Sequence, residues 1–137
     1  MPGETPEAFL DTNVILCAAS SDKSKAARAG VLIEAGGLIS VQVLNEIANV
    51  ARRKMALAWP EVHLLLSTVR GLLEVAPLTI ETHRQGLALS ERYELSVYDA
   101  MIAAAALEGG CKTLWSEDMQ DGMVVNDRLT VRNPFRG

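Results

Sequence analysis

Aromatic side chains are scarce in this sequence. Phe, Tyr and Trp make up 4% of its 137 residues, too few for the stacked platform on which single-stranded nucleic acids are held by their bases. Cysteine is equally sparse: Cys17 and Cys111 suit small buried thiols rather than a disulfide framework. The two histidines, His63 and His83, lie far apart in helix-like stretches with no metal-ligand spacing, and read as surface or packing residues rather than a general base. No apolar run approaches the roughly 18 residues that span a bilayer. The start MPGETPEAF has neither the basic beginning nor the apolar core of a signal peptide, so a cytoplasmic address is expected. Internal repeats and low-complexity tracts are absent. Positive charge is in the minority, 13 bases against 17 acids for a net charge of -4, which argues against a broad basic face for nucleic acid. Any phosphate-bearing partner has to be attracted by something other than bulk charge.

What is present is apolar and patterned. Hydrophobic residues reach 49% and mean hydropathy is +0.15, enough for one domain over residues 1–137 with apolar surface left for an oligomer. Ala8 to Leu10 is a short strand-like run, and Val14 to Leu16 are expected to return the chain to the core. Lys23 to Ala35 is helix-like and stops at Gly36-Gly37. Leu38 to Val41 reads as a second strand. After it Val43, Leu44, Ile47, Val50, Ala51 and Met55 recur at helical spacing. Pro60 suits the first turn of another helix to about Leu73, and Leu73 to Leu78 reads as a third strand. Thr79 caps a helix ending near Tyr93, and Ser96 opens one that Gly109-Gly110 closes. Lys112 to Trp115 and Leu129 to Arg132 are the fourth and fifth strands. Strands separated by helices predict an α/β three-layer sandwich with a mainly parallel, about five-stranded sheet. In such sheets ligands sit outside the carboxyl ends of the strands, where the strand order reverses.

That rule unites four scattered acids. Asp11 follows the first strand, Glu46 lies in the first turns of the helix after the second, Asp99 begins the helix leading into the fourth, and Asp118 follows the fourth. Each has a plainer reading. Asp11 suits a turn, Glu46 flanks an apolar stripe, Asp99 forms an S-x-x-D capping box with Ser96, and Asp118 sits in an acidic loop with Glu117 and Asp121. Together they are harder to explain structurally, because two unit charges about 4 Å apart at an effective dielectric near 20 repel by about 4 kcal/mol. A hard divalent cation removes that cost, and Mg²⁺ or Mn²⁺ keeps several waters while doing so. Such a site can polarise a phosphoryl group and activate water.

The motifs FLDTNVIL, ISVQVLNEIANVARRK, LSVYDAMIAAAALEGGCKTLWSEDMQDG and LTVRNPF, in that order, resemble the PIN-domain family, specifically the VapC-type toxins of toxin–antitoxin pairs. The resemblance implies a PIN-like α/β fold and a Mg²⁺- or Mn²⁺-dependent endoribonuclease, often a homodimer, held inactive by a cognate antitoxin. It also implies that Asp11, Glu46, Asp99 and Asp118 are the acidic quartet that binds metal and carries catalysis. Thr12, Asn13 and Ser116 then orient it, and Asp121 is an accessory ligand at most. Ser116 stands where many relatives have threonine, which keeps the hydroxyl. Two other readings remain. An aspartyl-nucleophile phosphatase wants a second acid where Asn13 stands. A non-catalytic binding or scaffold subunit of the same fold has no reason to keep a repulsive cluster. The run Arg52, Arg53 and Lys54 complements a helix dipole and is a lesser candidate for touching RNA. Trp59, Leu64, Leu65, Leu66, Leu72 and Leu73 suit either a core or a partner groove.

Overall fold

Short apolar runs alternating with helix-forming segments produce an α/β sandwich whose central sheet is almost entirely parallel. The computed structural model describes residues 6–136; the first five residues of the MPGETPEAF stretch, on which the expected cytoplasmic address rests, lie outside it. The strands are β1 (Ala8–Leu10), β2 (Leu38–Ser40), β3 (Glu74–Ala76), β4 (Thr113–Trp115), β5 (Val124–Val125) and β6 (Leu129–Arg132). They run in the order β3-β2-β1-β4-β6-β5, parallel except for β5 against β6. The sheet therefore has six strands rather than about five. The addition, β5, is two residues long, and only its hairpin creates it: Asn126 and Asp127 take φ of 50° and 56°, left-handed conformations that these residue types tolerate, and Arg128 N donates to Val125 O at 3.1 Å.

From β1 the chain steps outward to β2 and β3 on one side, then crosses to β4 on the other. That reversal opens a crevice at the carboxyl ends of β1 and β4. The helices are α1 (Thr12–Leu16), α2 (Lys23–Glu34), α3 (Val41–Arg53), α4 (Trp59–Leu72), α5 (Ile80–Tyr93) and α6 (Val97–Glu108). Three of them, α2, α5 and α6, begin at a capping side chain. Asp22 accepts from Ser24 N and Lys25 N, Thr79 from Thr82 N and Ser96 from Asp99 N. Pro60 sits in the first turn of α4. In contrast, α1 is not evident from the alternation of residue types. Asp11 nucleates it, accepting from Thr12 N through its carboxylate and from Val14 N through its carbonyl, so Val14 and Ile15 reach the core from a helix.

Phe9, Leu10, Ile39, Leu114 and Val131 are wholly buried in the sheet, and each larger side chain among them stabilises the fold by about 1.5–3 kcal/mol. The helix α6 is buried from Ala100 through Leu107, which explains its four consecutive alanines: small side chains let neighbouring layers close over it. Gly86 of α5 serves the same contact, since a Cβ there would meet Met101 Sδ at 2.5 Å.

Candidate active site

Strand register gathers the first part of the site. Phe9 pairs with Leu38 and Leu10 with Trp115. One step beyond the strand ends, Asp11 therefore lies in a row between Ser40 of the β2 terminus and Ser116 of the β4 terminus. Asp11 N donates to Trp115 O at 2.9 Å, extending the β1–β4 pairing to the acid itself. All three side chains are buried, Asp11 at 3% exposure and both serines at 0%.

Hydrogen bonds then fix the carboxylates. Ser116 Oγ donates to Asp11 Oδ2 at 2.7 Å while Thr12 N donates to Asp11 Oδ1 at 2.7 Å. The same Ser116 Oγ accepts from Met119 N at 3.2 Å, which folds the loop after β4 back on itself. Asn13 spans the crevice: its Nδ2 donates to Asp118 Oδ2 at 2.7 Å and its Oδ1 accepts from Glu117 N at 3.2 Å. One amide thus sets both the direction of Asp118 and the path of its loop. Asp99, in the first turn of α6, is oriented by the Ser96 cap, and Glu46 on α3 accepts from Gln42 Nε2 at 3.3 Å.

Glu46 and Asp99 join the other acids through charge rather than hydrogen bonding. Burial pushes the Asp11 carboxyl up to about 6, with the charges of Asp99 and Asp118 adding to the rise against the bonds from Ser116 and Thr12. Glu46 is pushed up to about 7, first by burial, then by Asp11, Asp99 and Asp118. Asp99 is raised by burial and by Asp118. Asp11, Glu46 and Asp99 therefore each sense other acids of the group, and the four are graded from buried Asp11 through half-buried Glu46 and Asp99 to exposed Asp118. Among the described residues, no three His, Cys, Asp or Glu side chains stand close enough together to hold a metal ion as they are placed.

Two residues were not evident from the sequence. Ser40 is buried at the strand end beside Asp11, and its Oγ lacks a hydrogen-bond partner, as does Thr12 Oγ1. Gln42, buried one helical turn before Glu46, holds that acid; an i, i+4 search around each candidate acid finds it. Asp121 is turned away from the cluster, accepting from Asn133 N at 2.8 Å and pairing with Arg136 at 3.7 Å. His63 packs near Trp59, and Arg52 donates to Leu57 O at 2.8 Å while stacking over the Trp59 ring, so these residues brace the α3–α4 corner. The two thiols are unpaired. No helix among the described residues is long and apolar enough to cross a membrane.

The fold is shared with several solved structures. A chain of a toxin-antitoxin complex from Klebsiella pneumoniae is 21% identical, with 93% of this chain and 98% of that one covered at a TM-score of 0.69. VapBC2 from Rickettsia felis, bound to a DNA fragment from its promoter, is 19% identical over 92% and 97% of the two chains, at 0.67. VapC20 of Mycobacterium tuberculosis, a toxin that cleaves the sarcin-ricin loop, is 17% identical over 81% and 91%, at 0.66. No curated protein matches the sequence. Asp11, Glu46, Asp99 and Asp118 all fall within residues 8–120, which match the PIN domain family, and the chain belongs to that family.

Proposed function

We propose that the protein is a metal-dependent endoribonuclease that hydrolyses RNA phosphodiester bonds as the toxin of a VapBC-type pair. The observation that carries this reading is the gathering of carboxylates at a topological switch point, where Asp11, Glu46 and Asp99 are all raised by burial and by neighbouring acids that include Asp118, with Asp11 clamped by Ser116 and Thr12. A structural role does not require such a cluster, whereas a hard divalent cation does. The donor set suits that cation. It is all oxygen, as a hard cation prefers and a structural zinc site does not, and the buried hydroxyls of Thr12 and Ser40 at the same rim lack hydrogen-bond partners.

Asp11, Asp99, Asp118 and Glu46 are the residues that would hold Mg²⁺ or Mn²⁺. When bound, that ion neutralises the acids, polarises the phosphodiester and activates water. Asp11 contributes a rigid carboxylate, both of whose oxygens are already oriented. Asn13 keeps Asp118 at the outer edge, where a phosphate arrives. Glu46, held in place by Gln42, is pushed up to about 7 in the unliganded fold, so a cation arriving near neutral pH would displace a proton from its carboxyl.

The toxin-antitoxin assemblies among the structural neighbours support a cognate antitoxin as partner. Exposed Ile80 and Tyr98, 69% and 66% accessible beside a cavity of about 490 Å³, support a homodimer. The test is incubation of purified, antitoxin-free protein with structured RNA, with and without Mn²⁺. Cleavage is expected only with the metal, and Asp11→Asn should reduce it at least about 100-fold. Absence of metal-dependent cleavage of any RNA points instead to a non-catalytic binding subunit.

A further inference from the structure

Four carboxylates at one rim repel the phosphates of the substrate they are meant to process. Among the largest influences on Asp11, Glu46 and Asp99 none is a cation. An ammonium group nevertheless stands close by. Lys25, in the first turn of α2, is ion-paired to Glu117 Oε2. The backbone N–H of Glu117 donates to Asn13 Oδ1 at 3.2 Å, and Asn13 Nδ2 donates to Asp118 Oδ2 at 2.7 Å. A continuous chain, Lys25 to Glu117 to Asn13 to Asp118, therefore links the cation to the outermost acid. The Cys17 thiol marks the same corner, since the charges of Glu117, Lys25 and Asp118 all reach it.

The placement of Lys25 is built into the fold. Asp22 caps α2 by accepting from Ser24 N and Lys25 N. One turn on, Arg28 Nε donates to Pro134 O at 3.3 Å and its guanidinium lies over the Trp115 ring. The Phe135 ring sits 5.2 Å from Lys25 Nζ. The lysine stem is thereby directed toward the loop after β4. The pair it makes with Glu117 stays accessible, with side-chain exposures of 37% and 28%. An exposed pair of this kind is weak, whereas a phosphodiester oxygen offers the ammonium an ionised acceptor next to a neutralised metal site.

We propose that Lys25 is a phosphate-positioning residue of the candidate active site, and that Glu117 holds its ammonium group until an RNA backbone phosphate displaces the carboxylate. This rests on the nuclease reading.

Two substitutions separate this role from a structural staple. Binding of a fluorescent single-stranded RNA is followed by anisotropy across a salt series, with Ca²⁺ in place of Mn²⁺ and the RNA checked for integrity. Lys25→Gln is expected to weaken binding about tenfold and to lower the slope of log affinity against log salt by about 0.7, the value for one phosphate contact on a single strand. Lys25→Arg should restore both. Glu117→Gln should move affinity the other way, tightening it several-fold, because the cation is released without loss of the backbone bond to Asn13. In cleavage assays with Mn²⁺, Lys25→Gln should raise KM far more than it lowers kcat. A staple predicts that both variants weaken binding together and leave the salt slope alone, and that result overturns the proposal. Wild-type protein that cuts RNA while Lys25→Gln keeps the wild-type slope overturns this inference alone; wild-type protein that neither binds nor cuts RNA overturns the nuclease reading and this one with it.

Discussion

Replacing Asp11 by Asn should stabilise the metal-free protein at alkaline pH and leave it almost unchanged in acid. The folded protein holds the Asp11 carboxyl at about 6 against an ordinary 3.8, so the native state binds this proton more tightly than the unfolded chain does. Stability from this group is therefore full below about pH 4 and is lost as pH rises through about 6. The shift of about 2.2 units, at about 1.36 kcal/mol each, amounts to about 3 kcal/mol lost by about pH 8. Asn carries no charge and avoids that loss. It still accepts from Thr12 N through Oδ1, but the Ser116 hydroxyl proton loses its acceptor, at a cost of about 1 kcal/mol. The net expectation is a variant about 2 kcal/mol more stable near pH 8, or about 6 °C in Tm for a chain of this size. Near pH 4.5, where most of the Asp11 loss has yet to develop, the two proteins should differ by less than about 0.5 kcal/mol. Urea unfolding in EDTA at both pH values measures the gap. A variant less stable than wild type near pH 8, or a gap that does not change with pH, refutes the argument that burial and neighbouring acids work against this carboxylate.

Ser116→Ala removes a bond that lowers the Asp11 pKa and the acceptor of Met119 N. It should cost about 1–3 kcal/mol near neutral pH and move the Asp11-linked midpoint upward in a stability-against-pH profile; a pH-independent loss means the serine does not act on the carboxylate. Gly86→Ala places a methyl against the flexible end of Met101, so the thioether must shift while the helix gains about 1 kcal/mol; the net change should stay within about 1 kcal/mol by denaturant midpoint, and a loss above about 2 kcal/mol means that Met101 cannot move aside. Glu94 ends α5 at φ 56° and ψ 36°, so Glu94→Gly should raise stability by about 0.5–1 kcal/mol. A lower Tm for that variant argues that the glutamate side chain contributes something the backbone geometry does not reveal.

The sequence alone determined the alternation of strands and helices and the capping of α5 and α6 by Thr79 and Ser96, and it singled out the four acids as candidates. These features are local: a helical period, a cap or a glycine stop is decided within a few residues of chain. It also implied that Asp11 ends a strand, because it follows an apolar run directly, and that Asp118 lies in the loop after one. Tertiary structure alone decided what those residues touch. Asn13 and Asp118 are 105 positions apart, and only the parallel pairing of β1 with β4 brings the amide to the carboxylate. The same register sets Ser40 and Ser116 on either side of Asp11, which no periodicity in the intervening segments encodes. The two-residue strand β5 exists only because a left-handed turn folds it onto β6, and α1 only because Asp11 caps it. Lys25 and Glu117, unremarkable in sequence, meet because α2 lies against the loop after β4. Local pattern reports what each segment is, but its charge environment depends on strand order and register, and those are set by the packing of the whole core.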